Sequence, residues 1–309
     1  MGRHIAWQVP VVALAVVLAG CSSNGEGGDS ETSSTTSGTS ESSAAAAAPS
    51  PEAQKAATEY KAYAIAQADE LVGAVKTLTD AVRANNLQAA QDAFAPSRLP
   101  WERIEPLAGL VEEIDGKVDA RVDDFAGVDD PAFTGWHRLE YLLFSQNTTE
   151  GGAQFADQLD ADVATLQKQL PTVDVTPVDV STGAAELIEE VSEGKITGEE
   201  DRYSKTDLWD FEANLQGSEA AVNRLSPALV KADPALLGKI EAGFSEIFAT
   251  LGPLRRGDGF VLFCTENDPY PSARCPEVTV DPATIDKMKA QLAGLSENLS
   301  QVSGALKLT

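Results

Sequence analysis

Apolar residues recur in steps of three and four along most of the chain, which is the spacing of one face of an α-helix. Three such series begin at Leu71, Phe155 and Leu237. The most regular series lies near the C-terminal end and predicts the seam of a helix packed lengthwise against its neighbours. Its members are Ile285, Met288, Leu292, Leu295, Leu299, Val302 and Leu306.

Interruptions of this pattern predict where elements end. The first helix starts near Glu52 in an Ala-rich run, and Asn85 and Asn86 predict its end. Residues 171–181, rich in Pro, Thr and Asp, predict a connecting loop between two helical parts of similar length. No long stretch alternates apolar and polar residues, so the pattern predicts an all-α fold. The short apolar run 260–264 fits none of the predicted elements.

The N-terminal end predicts export. Residues 1–20 have a basic start and an apolar run too short to span a bilayer, as in a signal peptide. The motif Leu18-Ala19-Gly20-Cys21 is typical of a lipoprotein cleavage site, although an ordinary signal peptide with an incidental cysteine is the alternative. Residues 21–50 then comprise the lipidated Cys21 and a disordered tether. We expect an exported protein, lipid-anchored to the outer face of the cell membrane, with its folded part at residues 51–309.

The charge balance narrows the classes of partner. The chain has 48 acidic and 23 basic residues, a net charge of −25, and no basic stripe. Nucleic acid is therefore disfavoured as a partner, and so are anionic polysaccharides. The acidity suits cations, although it also keeps an exported protein soluble.

Two further cysteines, Cys264 and Cys275, close a short loop rich in Pro and Asp. Outside the cytoplasm we expect them to form a disulfide. A metal role would need more ligands than this loop offers.

His137 is the only imidazole that remains once the signal peptide with His4 is removed. It lies within residues 131–146, which we predict to be helical, in the motif Gly135-Trp-His-Arg-Leu-Glu140. His137 and Glu140 are three residues apart and share a helix face, so both can close on one ion. A lone His-x-x-Glu pair also occurs in purely structural helices.

Further acids lie in two neighbouring stretches. Glu102 and Glu105 share a face in the motif Trp101-Glu-Arg-Ile-Glu-Pro106, and Pro106 should kink or end that helix. A solvated Glu-Arg surface is the plainer interpretation of this motif. Asp119 lies eighteen residues before His137 and could meet it across a bend. The sequence leaves open whether Asp207, Asp210 and Glu212 line the same site as these residues.

Three motifs in one order resemble the imelysin-like family, and within it the components of iron-uptake systems that lie outside the cytoplasm. They are the two motifs quoted above and Tyr-Ser-Lys-Thr-Asp-Leu-Trp-Asp-Phe-Glu-Ala-Asn at residues 203–214. The resemblance covers most of residues 52–309 and implies a metal-binding helical bundle of two related four-helix halves. Many relatives have an N-terminal cupredoxin domain, and we expect this chain to depart from them, with only the tether in that place. The metal-site residues that the resemblance implies are His137, Glu140, Glu105, Glu102 and, less directly, Asp119.

Carboxylates with one imidazole form a hard, oxygen-rich site that suits Fe²⁺ or Fe³⁺, with zinc or manganese as other occupants. The leading hypothesis is therefore a lipoprotein that captures iron and delivers it to a membrane iron permease. According to the resemblance, the partners of this protein are the membrane iron permease and a haem peroxidase. An imelysin-type metallopeptidase is the enzymatic alternative, although His-x-x-Glu lacks the second histidine of His-Glu-x-x-His. A helical interaction module without metal is a third hypothesis.

Overall fold

Helices account for most of residues 48–308, the part of the chain that the computed structural model describes. The predicted signal peptide, Cys21 and the tether up to residue 47 lie outside the described residues. The all-α prediction is confirmed. The helices are α1 (Pro51–Arg83), α2 (Leu87–Glu102), α3 (Glu112–Val118), α4 (Gly135–Glu140), α5 (Ala153–Gln169), α6 (Pro177–Glu193), α7 (Asp207–Ala232), α8 (Pro234–Leu251), α9 (Pro282–Ser300) and α10 (Val302–Leu306).

The helices pack in two groups that meet along α7. In the first group, α1 packs against α2 and α5. In the second group, α6 packs against α7 and α9, and α8 packs against α7 and α9. Because α1 and α2 also contact α7, the segments between α2 and α4 lie close to the N-terminal end of α7. All five candidate metal-site residues lie from the last residue of α2 to the last residue of α4.

The ends of α1 follow from local chemistry. Ser50 caps its N-terminus by accepting a hydrogen bond from the backbone N–H of Ala53 at 3.2 Å, and Pro51 takes the first helical position. The helix ends at Arg83, just before Asn85 turns the chain with a φ of 53°. Both ends agree with the sequence-based prediction.

The predicted loop over 171–181 is wrong in its second part, because α6 begins at Pro177. The Thr176 hydroxyl accepts from the backbone N–H of Asp179, while the Asp179 carboxylate accepts from the backbone N–H of Thr176 at 2.7 Å. This reciprocal capping box, with Pro at the first helical position, starts a helix rather than a loop. Thr176 and Pro177 thus belong to the start of a helix and not to a loop.

The predicted helix over 131–146 is shorter and less regular than expected. It begins at Gly135, and the π-helical turn Tyr141–Ser145 follows α4 directly. The unassigned run 260–264 begins in a short antiparallel ladder between Arg255–Arg256 and Gly259–Phe260.

In the segment after this ladder, the structure joins Cys264 and Cys275 in a disulfide. Among the helices of residues 48–308, none has both the length and the apolar character needed to cross a bilayer.

Candidate metal centre

The five residues that the sequence singled out as metal ligands lie together at the junction of the two helical groups. Glu102 is the last residue of α2, Asp119 directly follows α3, and His137 and Glu140 are on α4. Glu105 opens a short 3-10 helix, Glu105–Leu110. Each of the five side chains is at most 9% exposed. Side chains that are charged in water are thus gathered in the interior.

The prediction that Glu102 and Glu105 share one helix, which Pro106 kinks or ends, is wrong, because α2 already ends at Glu102. Glu102 belongs to α2, whereas Glu105 and Pro106 begin the 3-10 helix. Both carboxylates nevertheless reach the ammonium group of Lys195, at 3.1 Å from Glu102 Oε2 and 2.8 Å from Glu105 Oε1. The alternative of a solvated surface therefore does not apply to this pair.

The position of Gly135 brings Asp119 to His137. Gly135 has a φ of +74°, and a Cβ atom there would lie 2.2 Å from the carbonyl oxygen of Val118. Only glycine allows the start of α4 to sit this close to the end of α3. The bend that results places Asp119 Oδ1 3.4 Å from His137 Nε2.

Glu140 faces the other nitrogen of the imidazole, with its Oε2 3.2 Å from Nδ1. Its second oxygen, Oε1, accepts hydrogen bonds from the backbone N–H groups of Tyr203 and Ser204, both at 2.8 Å, and from the Ser204 hydroxyl at 3.0 Å. These donors hold the carboxylate in place. Glu140 therefore orients the ring so that Nε2 points to Asp119 and to Glu200 Oε1, which is 3.5 Å away.

Glu200 and Asp201 are the acids that sequence reasoning missed. They follow Gly198 in a segment without helical periodicity, so no pattern predicted which way their side chains point. Three sets of potential ligand atoms lie within 4.8 Å of one another, and Glu200 or Asp201 is in each. The sets are Asp119–His137–Glu200, His137–Glu140–Asp201 and Glu102–Glu200–Asp210.

The structure also places the three acids that the sequence left open. Asp210 is fully buried and accepts from Arg98 Nε at 3.0 Å. Asp207 is fully buried beside Asp201, whose backbone N–H it accepts at 3.3 Å. Glu212 lies apart from the cluster and pairs with Arg255. Asp210 thus joins the cluster directly, and Glu212 does not.

Two buried cations, neither singled out from the sequence, balance part of this acidity. Arg98 is fully buried and lies among carboxylates from four segments of the chain. Lys195 is 1% exposed and binds Glu102 and Glu105. A buried carboxylate needs such partners, because burial without them is strongly unfavourable.

The electrostatics of the cluster follow from burial and from these cations. Burial raises the pKa of Asp119, but the charge of Arg98 and the hydrogen bond from His137 outweigh burial and hold that pKa below its ordinary value. Burial and Arg98 lower the pKa of His137, yet its hydrogen bonds to Asp119, Glu140 and Glu200 outweigh them and raise it. Burial raises the pKa of Asp210 well above its ordinary value.

A cavity of about 600 Å³ borders the cluster at Glu105, Asp119 and Glu200. Five further acidic residues line it, and within the part of the chain that the structure describes Arg121 is the only basic residue in its wall. Its further acidic residues are Glu112, Asp115, Asp124, Glu186 and Glu190. Such a wall concentrates cations in front of the cluster.

The donor set fits a hard or borderline cation. It consists of carboxylate oxygens and one imidazole nitrogen, the ligand types that suit iron, manganese and zinc. The ring is held by a carboxylate on its other nitrogen, as is usual for metal-binding histidines. The geometry therefore defines a candidate centre for cation binding.

Comparison with known proteins identifies the class of this protein. Residues 56–302 match the family profile described as imelysin (peptidase M75), so the chain belongs to the imelysin family. It is also similar to the iron uptake system component EfeO of Escherichia coli K12, of Escherichia coli O157:H7 and of Shigella flexneri. In each case the identity is 44% over 254 residues, which cover 82% of this chain and 64% of the relative. The chain thus matches less than two thirds of the length of these relatives.

Proposed function

We propose that this protein is an extracytoplasmic iron-binding lipoprotein that captures iron and delivers it to a membrane iron permease. One observation carries the proposal. His137, the only histidine outside the predicted signal peptide, lies buried with Glu140, Asp119 and Glu200 at 3.2–3.5 Å from its ring nitrogens. A buried imidazole among carboxylates from separate segments is typical of a metal site.

The distances suggest a role for each residue. Nε2 of His137 would be the nitrogen ligand, with Asp119 and Glu200 as oxygen ligands on the same side of the ring. Glu140 would orient the ring through Nδ1. Glu102 is next to Glu200 in a second set of ligand atoms, and Glu105 would complete the acidic surroundings at the cavity.

The choice of iron as cargo rests on similarity. The relatives are iron uptake components by name, and the shared region includes every residue of the cluster. Zinc and manganese remain chemically suitable occupants. We extend the proposal to the partners of such a system, a membrane permease and a haem peroxidase, and to a lipid anchor at Cys21 on the outer face of the cell membrane.

Anaerobic titration with Fe²⁺ tests this proposal. His137→Ala should weaken binding at least about tenfold, since even the residues behind metal ligands contribute 10- to 100-fold. Glu212→Gln is the matched control, because it changes an acid of the neighbouring motif that lies outside the cluster. Equal stoichiometry and affinity in wild type and His137→Ala would overturn the proposal.

A metallopeptidase is the second candidate function, because the matching family is described as a peptidase family. A general base needs a free carboxylate oxygen near the metal-bound water. In Glu140, Oε1 already accepts three hydrogen bonds and Oε2 faces the imidazole, which speaks against this role. Turnover of a peptide library that stops with a chelator and with Glu140→Gln would favour the peptidase.

A further inference from the structure

We propose that the Arg98 guanidinium is a tethered competitor for the cargo cation. It fills the middle of the acidic cluster, where the cation would bind, and cation binding displaces it. The inference rests on the proposed iron binding and adds to it which group competes with the ion for the same carboxylates.

Arg98 bonds to the same atoms that would bind the metal. Its Nη2 donates to Glu200 Oε1 at 2.8 Å, and its Nη1 donates to Asp119 Oδ1. Nη1 also lies 3.4 Å from His137 Nε2. These are all members of the Asp119–His137–Glu200 set.

The second set is occupied by the same side chain. Nη2 also donates to Glu102 Oε1, and Nε donates to Asp210 Oδ2 at 3.0 Å. One guanidinium thus holds acids from both the Asp119–His137–Glu200 set and the Glu102–Glu200–Asp210 set. Its five donors match this role, because arginine has no acceptor atom and donates in several directions.

A bound metal ion and this guanidinium position exclude each other. Metal–oxygen bonds to carboxylates are about 2.0–2.2 Å long, so an ion on Asp119 and Glu200 would occupy the space of the Nη atoms. Arginine cannot become a ligand and cannot lose its charge by releasing a proton. The side chain must therefore move when the ion enters.

The neighbouring cavity provides a place for the displaced charge. It borders Asp119 and Glu200, two partners of Arg98, and its wall carries further acids such as Asp115 and Glu190. Binding then exchanges one cation for another in the cluster. The free energy needed to move Arg98 lowers the affinity for iron. When the iron is released, Arg98 returns and neutralises the acids again. Such an exchange suits a protein that delivers its cargo to a partner.

Lys195 has a different place in the cluster. Its ammonium group binds Glu102 Oε2 and both oxygens of Glu105. Its Nζ is also 3.8 Å from Glu200 Oε1, but among the described residues no hydrogen bond or ion pair joins it to Asp119 or His137. Lys195 therefore neutralises acids without blocking the imidazole, and it provides a control for the effect of charge alone.

Fe²⁺ titration of Arg98→Gln, Lys195→Gln and Arg103→Gln tests the inference. Arg103 binds Gln216 outside the cluster, so its variant should leave the affinity unchanged. Arg98→Gln should bind iron at least about tenfold more tightly than wild type, equivalent to about 1.4 kcal/mol. Lys195→Gln should gain less, because it removes a charge but no blocking group.

Thermal melting gives a second measurement on the same variants. Without metal, Arg98→Gln should melt below wild type, since it leaves buried acids without a partner. Iron should then raise its melting temperature by more than it raises that of wild type.

A crystal structure of the wild-type protein soaked with Mn²⁺ decides the matter even if Arg98→Gln does not fold. The guanidinium should then lie more than about 4 Å from Glu200 Oε1, beyond ion-pair distance. A guanidinium in place beside the ion, or unchanged or weaker iron binding by a folded Arg98→Gln, overturns this inference alone. Absence of iron binding by wild type removes the proposed function and this inference with it.

Discussion

The apolar seam of α9, which packs against α6 and α8, and the junction around Arg98 are both buried, but opposite kinds of side chain fill them. In the seam, Leu292, Leu295 and Leu299 are at most 2% exposed, and Gly243 lets the helices approach closely. In the junction, Arg98 and Glu102 are fully buried. Apolar burial stabilises without regard to direction, whereas each buried charge needs a placed partner.

The junction also contains buried carboxylate oxygens that accept no hydrogen bond. Within residues 48–308, one oxygen each of Asp201, Asp207 and Asp210 has no hydrogen-bond partner. An unsatisfied buried acceptor destabilises the fold by about 1–3 kcal/mol. Arrangements that lower stability in this way are typical of functional sites rather than of cores. The comparison thus separates the part that holds the fold together from the part that is organised for a cation.

Lys195→Met should produce the largest effect on the junction. The variant leaves Glu102 and Glu105 buried without their ammonium partner, and loss of one member of a buried ion pair costs about 3–5 kcal/mol. Urea denaturation of the metal-free protein measures the loss. Added Fe²⁺ should restore more stability to the variant than it adds to wild type, because a cation replaces the missing charge.

The matched control for this prediction is Lys239→Met, at an exposed position on α8. Surface substitutions of this kind change stability by less than about 0.5 kcal/mol. A Lys195→Met protein as stable as the control would show that the junction does not depend on its buried charges.

Leu295→Ala should lower stability by about 3 kcal/mol in the seam, through lost burial and the cavity left behind. Added Fe²⁺ should increase the free energy of unfolding of Leu295→Ala by as much as that of wild type, because this variant loses no charged group. The comparison of iron-induced increments in Leu295→Ala and Lys195→Met is therefore the critical measurement. Equal increments in the two variants would contradict the distinction between seam and junction.

The same contrast explains what could be predicted from the sequence. The seam of α9 was predicted because apolar periodicity reports directly which side of a helix is buried. Met288, Leu292, Leu295, Leu299 and Val302 are buried, but Ile285 and Leu306 are only half-buried. The predicted single helix is also divided, because α9 ends at Ser300 and the last two members of the series lie on α10. The start of α6 was misplaced because Thr176 and Pro177 favour both a loop and a helix start, and only the capping hydrogen bonds distinguish the two.

The site was predictable only where spacing or the family resemblance marked a residue. Helix-face spacing and the resemblance singled out His137, Glu140, Glu102 and Glu105, and mainly the resemblance added Asp119. These five residues lie together in the structure, although their role as ligands stays a prediction. Arg98 and Lys195 gave no signal, because a basic residue on a helix normally points to solvent. Their burial results from tertiary packing of segments far apart in sequence.

Asp115→Asn should give the smallest effect, a gain in stability that depends on pH. Asp115 lies in the wall of the acidic cavity, where burial, and then the charges of Asp119 and Glu190, raise its pKa to about 7. In the unfolded chain an aspartate has a pKa of about 3.9. The folded state therefore binds this proton more tightly, and ionisation of Asp115 destabilises the fold as pH rises from about 4 to about 7.

Urea denaturation in metal-free buffer at pH 4 and pH 8 measures this gain. At pH 4 the variant and wild type should differ little, because the carboxyl is largely protonated in the folded state and only partly ionised in the unfolded chain. At pH 8 Asp115→Asn should be more stable by about 1–2 kcal/mol, less than the full shift implies because solvent in the cavity screens the charge. Asp129→Asn, at an exposed turn, makes the same charge change and should alter stability by less than about 0.5 kcal/mol. A gain of equal size at both pH values would show that Asp115 is not under electrostatic strain, and the acidic character of the junction would then end at the cluster itself.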